Sequence, residues 1–198
     1  MTVEAKTANR LFCKCFVAGD VYPDDALYIP IFHRWIQEQT VPGLLVDVAD
    51  YQHVPRGPNV MLIAHEGHYA MDRTAGRLGM AYYQKRGGGD SFEANLQAVV
   101  SNALLAAEQM AGDKVFGGSL AFRTDEFVVG VDDRLVAPNS PETLDQLGPQ
   151  IQAFFSGLLG GTALELQVAD DPRMPFQVHL RAEISPALED LRERLCAL

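Results

Sequence analysis

The chain has 198 residues, of which 47% are hydrophobic, 9% aromatic and 21% charged, and its formal charge is -10. This length and apolar content are typical of a globular chain with one large domain or two small ones, and they exclude a disordered chain. The acidic balance argues against nucleic acid and anionic membrane surfaces as partners, because both attract basic proteins. No apolar run approaches the roughly 20 residues that are needed to span a bilayer.

The start of the chain and its cysteines bear on its location. Residues 1–10 are polar and lack the apolar stretch of a signal peptide, so we expect a flexible N-terminus there. The three cysteines are Cys13, Cys15 and Cys196. An odd number of cysteines favours free thiols in a reducing compartment, and we expect a cytoplasmic protein. Cys13 and Cys15 lack the Cys-x-x-Cys spacing of a redox motif, which favours buried thiols.

The first half of the chain is predicted to consist mainly of strands. The composition of LFCKCFV predicts a strand at 11–17. Pro30 and the spacing of the following apolar residues predict a short helix at about 29–39, which Pro42-Gly43 ends. Three further strands are expected at about 44–51, 60–71 and 77–85, with turns at 55–58 and 73–76. A glycine run at 87–89 then forms a flexible break.

The second half begins with the clearest helix, at about 91–111, where apolar residues recur every three or four positions. Asp90 and Glu93 have the spacing of a capping box at its start. β-structure is expected at about 120–136, with turns near Asp125-Glu126 and Asp132-Asp133. A helix then starts at Ser140-Pro141 and is kinked or split at Gly148-Pro149. The remaining predicted elements are strands at about 163–169 and 176–183 and a short helix from Ser185-Pro186 to Cys196.

Two segments about 120 residues apart read alike. Val48-Ala49-Asp50 matches Val168-Ala169-Asp170, and each follows a predicted helix and precedes another strand. The unit is β-α-β-β, with copies at about 11–86 and 119–184 joined by the helix at about 91–111. The alternative is that the chain contains no true repeat, because any two helix–strand–strand segments share features of this kind.

The predicted fold is therefore α+β, a single domain over residues 11–198. We expect an antiparallel or mixed sheet covered by about three main helices, with the two copies related by a pseudo-two-fold axis. A crevice on that axis would be the place for a ligand.

A histidine-rich segment suggests a metal site. His53, His65, His68 and Asp72 are the candidate ligands, and Glu66 could act as an acid or base beside them. The spacing does not fit the helical metalloprotease signature, and positions 65 and 68 of a regular strand face opposite sides of the sheet. Only a bend or bulge at Gly67 would bring the two histidines together. The alternative is a strand end with hydrogen-bonded or exposed histidines.

A second candidate site is basic and would bind an anion or an acidic partner. Residues 73–86 contain no acidic residue but hold four basic ones, Arg73, Arg77, Lys85 and Arg86. The alternative is a solvated turn. Residues 124–171 form an acidic segment, with nine acidic residues and one basic residue. We call the basic segment 73–86 and this acidic segment the two poles of the chain. Contact between the basic pole of one subunit and the acidic pole of another would favour a homo-oligomer.

No nucleophile elbow, dinucleotide-binding motif or phosphate-binding loop is present in the sequence. We therefore expect a non-catalytic domain that binds a small or anionic ligand or a protein partner and self-associates, without a cofactor. Two alternatives remain open. One is a metal-dependent hydrolase at the histidines, and the other is a structural subunit that acts only in assembly.

Overall fold

A computed structural model describes residues 8–19, 22–54, 57–86, 89–169 and 171–197. Several predicted features lie outside the described residues. These are residues 1–7 of the expected flexible N-terminus, Pro55 of the predicted turn, two glycines of the 87–89 run and Asp170 of the repeat.

The described chain forms one eight-stranded sheet in which every neighbouring pair of strands is antiparallel. The order across the sheet is β2-β3-β4-β5-β1-β6-β8-β7. The first strand of the chain therefore lies in the middle of the sheet, and the two edges are β2 and β7. In chain order the strands are β1 Leu11–Val17, β2 Leu45–Asp50, β3 Pro58–Ala64, β4 Gly67–Asp72, β5 Gly79–Gln84, β6 Phe122–Val131, β7 Leu164–Val168 and β8 Phe176–Ala182.

Four α-helices accompany the sheet in the described residues, so the protein belongs to the α+β class, as predicted. They are α1 Tyr28–Glu38, α2 Phe92–Ala111, α3 Pro141–Leu158 and α4 Leu188–Ala197. Serine side chains cap the two longest helices, because the Oγ atoms of Ser91 and Ser140 accept hydrogen bonds from backbone N–H groups one turn ahead. The cap of α2 is thus Ser91 and not the expected Asp90. None of the helices in the described ranges is both long and apolar enough to cross a membrane.

One face of the sheet carries the main core. The strands alternate, so that Leu11, Cys13, Cys15 and Val17 of β1 all point to this face and are buried there. The apolar stripe of α2 packs on β1 and β5, and buried side chains of all four helices join the same core. The two thiols of β1 are therefore buried core groups, and they are free.

Three predicted boundaries were wrong. The strand expected at 60–71 is two strands, because the chain turns at His65-Glu66, and Gly67 follows so closely under Tyr82 that a Cβ atom would lie 2.5 Å from its hydroxyl. The turn expected at Asp125-Glu126 is absent, since β6 runs through both residues. The helix expected to be kinked or split at Gly148-Pro149 is not split, since α3 runs on through Pro149.

The element order is the same in two parts of the chain. β1-α1-β2-β3 and β6-α3-β7-β8 each consist of a strand, a helix and two further strands. β1 and β6 lie side by side and antiparallel in the middle of the sheet. The first part differs from the second because the hairpin β4–β5 is inserted between β3 and β1.

Candidate ligand site on the open face of the sheet

The second face of the sheet, which we call the open face, carries buried aromatic residues without helical cover from the described chain. Phe12, Lys14 and Phe16 of β1 point to this face, opposite the cysteines, and all three are buried. Phe12 stacks on Tyr83 of β5 with ring centroids 5.4 Å apart. Large apolar side chains on a sheet face need cover, so the connecting segments of the chain must supply it.

One covering segment is the 73–78 loop, between β4 and β5. Lys14 holds it, because its Nζ atom donates to the backbone oxygens of Arg77 at 2.7 Å and Thr74 at 3.1 Å. The guanidinium of Arg77 lies on the ring of Phe16, with 3.9 Å between its Cζ atom and the ring centroid. The loop therefore closes over the middle of β1.

The backbone of this loop is strained at one position. Ala75 has a φ of 61°, in the left-handed region that favours glycine, and it lines the cleft described next. Such a conformation costs roughly 1–2 kcal/mol in a residue with a side chain, and strain of this kind is concentrated at functional sites.

A second covering segment is made of the described residues of the connection from β7 to β8, which are 169 and 171–175. Asn139 anchors it by donating to the backbone oxygens of Ala169 and Asp171 at 2.7 and 3.0 Å. Between this connection and the 73–78 loop lies a cleft made of two adjoining cavities of about 190 and 270 Å³. The shared walls are formed by Phe16, Ala75, Val128 and Gln177.

Lys14 and Asp72 form a buried ion pair at the floor of the first cavity. Their Nζ and Oδ1 atoms are 3.5 Å apart, and neither side chain is appreciably exposed. Asp72 also accepts hydrogen bonds from the hydroxyl of Tyr83 and the backbone N–H of Thr74. Burial lowers the pKa of Lys14, and the charge of Asp72 opposes that effect. The ammonium group thus has two hydrogen-bond acceptors, the backbone oxygens of Thr74 and Arg77, and one ion-pair partner, Asp72.

A charge cluster around Glu126 lies beyond the second cavity. Arg77 donates two hydrogen bonds to the carboxylate, at 2.7 and 2.9 Å, and Arg181 donates two more at 3.1 Å. The imidazole of His179 lies 2.6 Å from the same carboxylate and must donate, since a carboxylate only accepts. Arg123 completes the cluster at 3.2 Å. The hydrogen bonds from Arg77 are the main reason why the pKa of Glu126 falls to about 2.

The predicted metal ligands lie apart. His65 and Glu66 form the turn between β3 and β4, whereas His53 is exposed beside Tyr51 and Asp72 is buried with Lys14. His68 lies in β4, where burial lowers its pKa and its Nδ1 atom has no hydrogen-bond partner within the described chain. No group of three His, Cys, Asp or Glu residues in the described ranges is arranged to hold a metal ion.

The predicted anion-binding residues divide into two pairs. Arg73 and Arg77 are occupied by carboxylates of the same chain, Asp25 and Glu126. At the other end of β5, the Nζ atom of Lys85 donates to the Ala64 backbone, and Arg86 contacts His65 at 3.0 Å. Only Arg77 of the four lines the cleft.

Sequence reasoning missed the two residues at the centre of this face. Lys14 was placed only within the predicted strand at 11–17, and Glu126 only in a predicted turn of the acidic segment 124–171. A signal was present for Lys14, because Phe12, Lys14 and Phe16 alternate with core residues and so share one face.

Larger hollows lie between the helices, about 390 Å³ between α1 and the end of α2 and about 410 Å³ between α2 and α3. Both are lined largely by helix-surface residues and the Arg34–Asp113 ion pair lies in the first. The open-face cleft instead combines aromatic walls with a buried ion pair, and we regard it as the candidate site.

Comparison with family models, curated proteins and solved structures found no match for this chain. The functional interpretation therefore depends on the geometry of the open face.

Proposed function

We propose that the protein is a non-catalytic binding protein whose small ligand lies in the cleft on the open face. The observation that carries this proposal is the pair of adjoining cavities over a buried Lys14–Asp72 pair, on a sheet face without helical cover in the described chain. Ligand sites are usually concave and mainly apolar, with a few placed polar groups. The cleft has this composition.

The arrangement of the polar groups supports binding over catalysis. The amine of Lys14 could act as a nucleophile only without its proton, but its ammonium group donates to two backbone oxygens and pairs with Asp72. It therefore holds the 73–78 loop, and freeing its lone pair would break that hold. Phe16, Val128 and Gln177 remain to contact a ligand directly.

Saturable binding of a neutral fluorescent probe, N-phenyl-1-naphthylamine, tests the site. We expect one probe to bind per chain. Val128→Phe should bind the probe at least tenfold more weakly, because Val128 lies in the wall shared by both cavities and the added ring would occupy the space for the probe. The matched control is Val115→Phe, since Val115 lies outside the cleft and is 52% exposed. Equal probe affinity in Val128→Phe and wild type, with both folded, would overturn the proposal.

We propose further that the two β-α-β-β parts are copies of one unit. The same element order and the central antiparallel pairing of β1 with β6 support this. Lys14 and Val128 are cross-strand partners in that pair, so the cleft lies where the predicted pseudo-two-fold axis would pass. Superposition of the two parts in an experimental structure tests the idea, and different crossing angles of α1 and α3 on their strands would contradict it.

Self-association remains a second proposal, and the edge strand β7 favours it. A two-fold axis at Leu166 would place Glu165 opposite Gln167 of a second copy and Leu164 opposite Val168, without opposed like charges. The other edge, β2, is less suited because it carries a bulge and two aspartates. The internal pairing of Arg73 and Arg77 leaves less free charge for the predicted contact between basic and acidic poles.

Sedimentation at low and high salt tests this second proposal. We expect a dimer that Leu166→Lys dissociates and that Leu135→Lys, at a position 92% exposed elsewhere, leaves intact. A monomer at both salt concentrations would overturn it. We also propose a cytoplasmic location, which the three free thiols support.

A further inference from the structure

We infer that the ligand of the cleft is an amphipathic anion, with its apolar body in the first cavity and its anionic group in the second. This inference rests on the proposed function and names the chemical class of the ligand. The two cavities differ in chemistry although they share walls. The first has aromatic walls from Phe12, Phe16 and Tyr83, and its charged groups are largely paired, Lys14 with Asp72 and Asp132 with Arg10.

The second cavity has a different polar lining. Its polar side chains are Arg77, Gln167, Gln177 and His179, and none of its lining residues is acidic. The first three can donate hydrogen bonds to a ligand, whereas the Nε2–H group of His179 is already used by Glu126. Although the chain has a formal charge of -10, this concave site has no carboxylate in its wall and offers a guanidinium and two side-chain amides to a ligand. Anionic groups are bound by such convergent donors.

Glu126 fixes Arg77 and His179 in place without filling the cavity. It binds the far side of Arg77 and the Nε2 atom of His179, but it is not among the lining residues. The Cζ atom of Arg77 also lies 3.9 Å from the centroid of the Phe16 ring, so its guanidinium is held beside a wall that both cavities share. The guanidinium of Arg77 is therefore in place before any ligand binds, which reduces the entropic cost of binding.

A matched pair of probes separates this inference from the proposed function. 1-Anilinonaphthalene-8-sulfonate and N-phenyl-1-naphthylamine share the same aromatic body, and only the first carries a sulfonate. We expect one saturable site for each in the folded protein, with the sulfonate probe bound roughly tenfold more tightly at low salt. The advantage of the sulfonate probe should shrink as salt is added, whereas affinity for the neutral probe should not fall.

A charge placed in the wall of the second cavity makes the test specific. Gln167 is exposed in the edge strand β7, so Gln167→Glu should fold, and it adds a carboxylate where we place the anion. The comparison is made in the Leu166→Lys background, so that the new carboxylate does not face Glu165 of a second copy. We expect roughly tenfold weaker binding of the sulfonate probe and unchanged binding of the neutral probe. Gln152→Glu, on the exposed side of α3, is the matched control and should change neither.

The outcomes are distinct. Equal affinity for both probes, with no effect of Gln167→Glu, would overturn the anionic ligand while leaving the cleft as a binding site. If neither probe binds saturably, the proposed function fails and this inference fails with it.

Discussion

Replacing Glu126 with Gln tests whether the charge cluster stabilises the fold. The substitution keeps the size of the side chain and removes the negative charge that Arg77, Arg181 and His179 surround. The carboxyl pKa is about 2 instead of 4.5, mainly because Arg77 donates two hydrogen bonds to it. By linkage, such a shift corresponds to about 3 kcal/mol of stability. The surrounding guanidiniums face solvent and are screened, so we expect a loss of about 2 kcal/mol at neutral pH.

The pH dependence gives a second measure of the same effect. Because folding lowers the pKa of Glu126, its carboxylate stabilises the native state above about pH 4.5, and this stabilisation is lost as the pH falls toward about 2. The difference in free energy of unfolding between wild type and Glu126→Gln should therefore be largest at neutral pH and shrink in acid. Urea unfolding can be followed by the fluorescence of Trp35, the single and buried tryptophan.

The matched control is Glu193→Gln, at an exposed position of α4, which should change the free energy of unfolding little at any pH. A Glu126→Gln protein as stable as wild type at neutral pH would refute the reasoning. So would a stability difference that stays constant into the acid range, since the loss would then come from packing and not from the charge.

Three further substitutions test the open face. Lys14→Met leaves the buried Asp72 without its cation, so we expect the free energy of unfolding to fall by about 3 kcal/mol. Hydrogen exchange in the 73–78 loop should become faster, because Lys14 no longer holds its backbone. Unchanged exchange would contradict this role of Lys14. Gly130→Ala should lower the melting temperature through about 1–3 kcal/mol of overpacking, because its Cβ atom would lie 2.3 Å from the backbone oxygen of Phe176. Ala75→Gly relieves the steric strain of the left-handed backbone and should raise the free energy of unfolding by about 0.5 kcal/mol. The control Ala153→Gly, on the exposed surface of α3, should lower it by about 1 kcal/mol. Equal losses in the two variants would show that residue 75 is not strained.

Periodic segments could be predicted from the sequence because their pattern is local. The strand at Leu11–Val17 was predicted with its observed bounds, and α2 was predicted within a residue at its N-terminus. Apolar residues every three or four positions and an alternation of faces reflect burial on one side, and that signal lies within the segment itself.

The turn at His65-Glu66 could not be read in the same way. The sequence there lacks the dipeptides that are typical of hairpin turns, and apolar residues continue on both sides. Contacts from distant segments hold it. The carboxylate of Glu66 accepts a hydrogen bond from the N–H of Leu44 at 3.0 Å, and the backbone of Lys85 pairs with Glu66.

The candidate site was missed for a related reason. Glu126 resembles an exposed turn residue when it is considered with Asp125, but Arg77 and Arg181 approach it from sequence positions about fifty residues away on either side. A buried carboxylate is stable only with such partners, and a single sequence does not show which residues the sheet will bring together. Lys14 was readable in part, because its spacing between Phe12 and Phe16 assigns all three to one face.

The central place of β1 has a consequence for how the chain is made. β1 lies near the start of the chain, yet its neighbours are β5, which ends at Gln84, and β6, which ends at Val131. On the ribosome, this strand is therefore synthesised long before either partner, and the contacts that fix it span much of the sequence. Pairings of such long range slow folding, because the entropic cost of closing the loop comes before the stabilising contacts form. The β2–β5 meander can assemble first and offer β1 a ready edge, and the second half of the sheet then grows outward from β1.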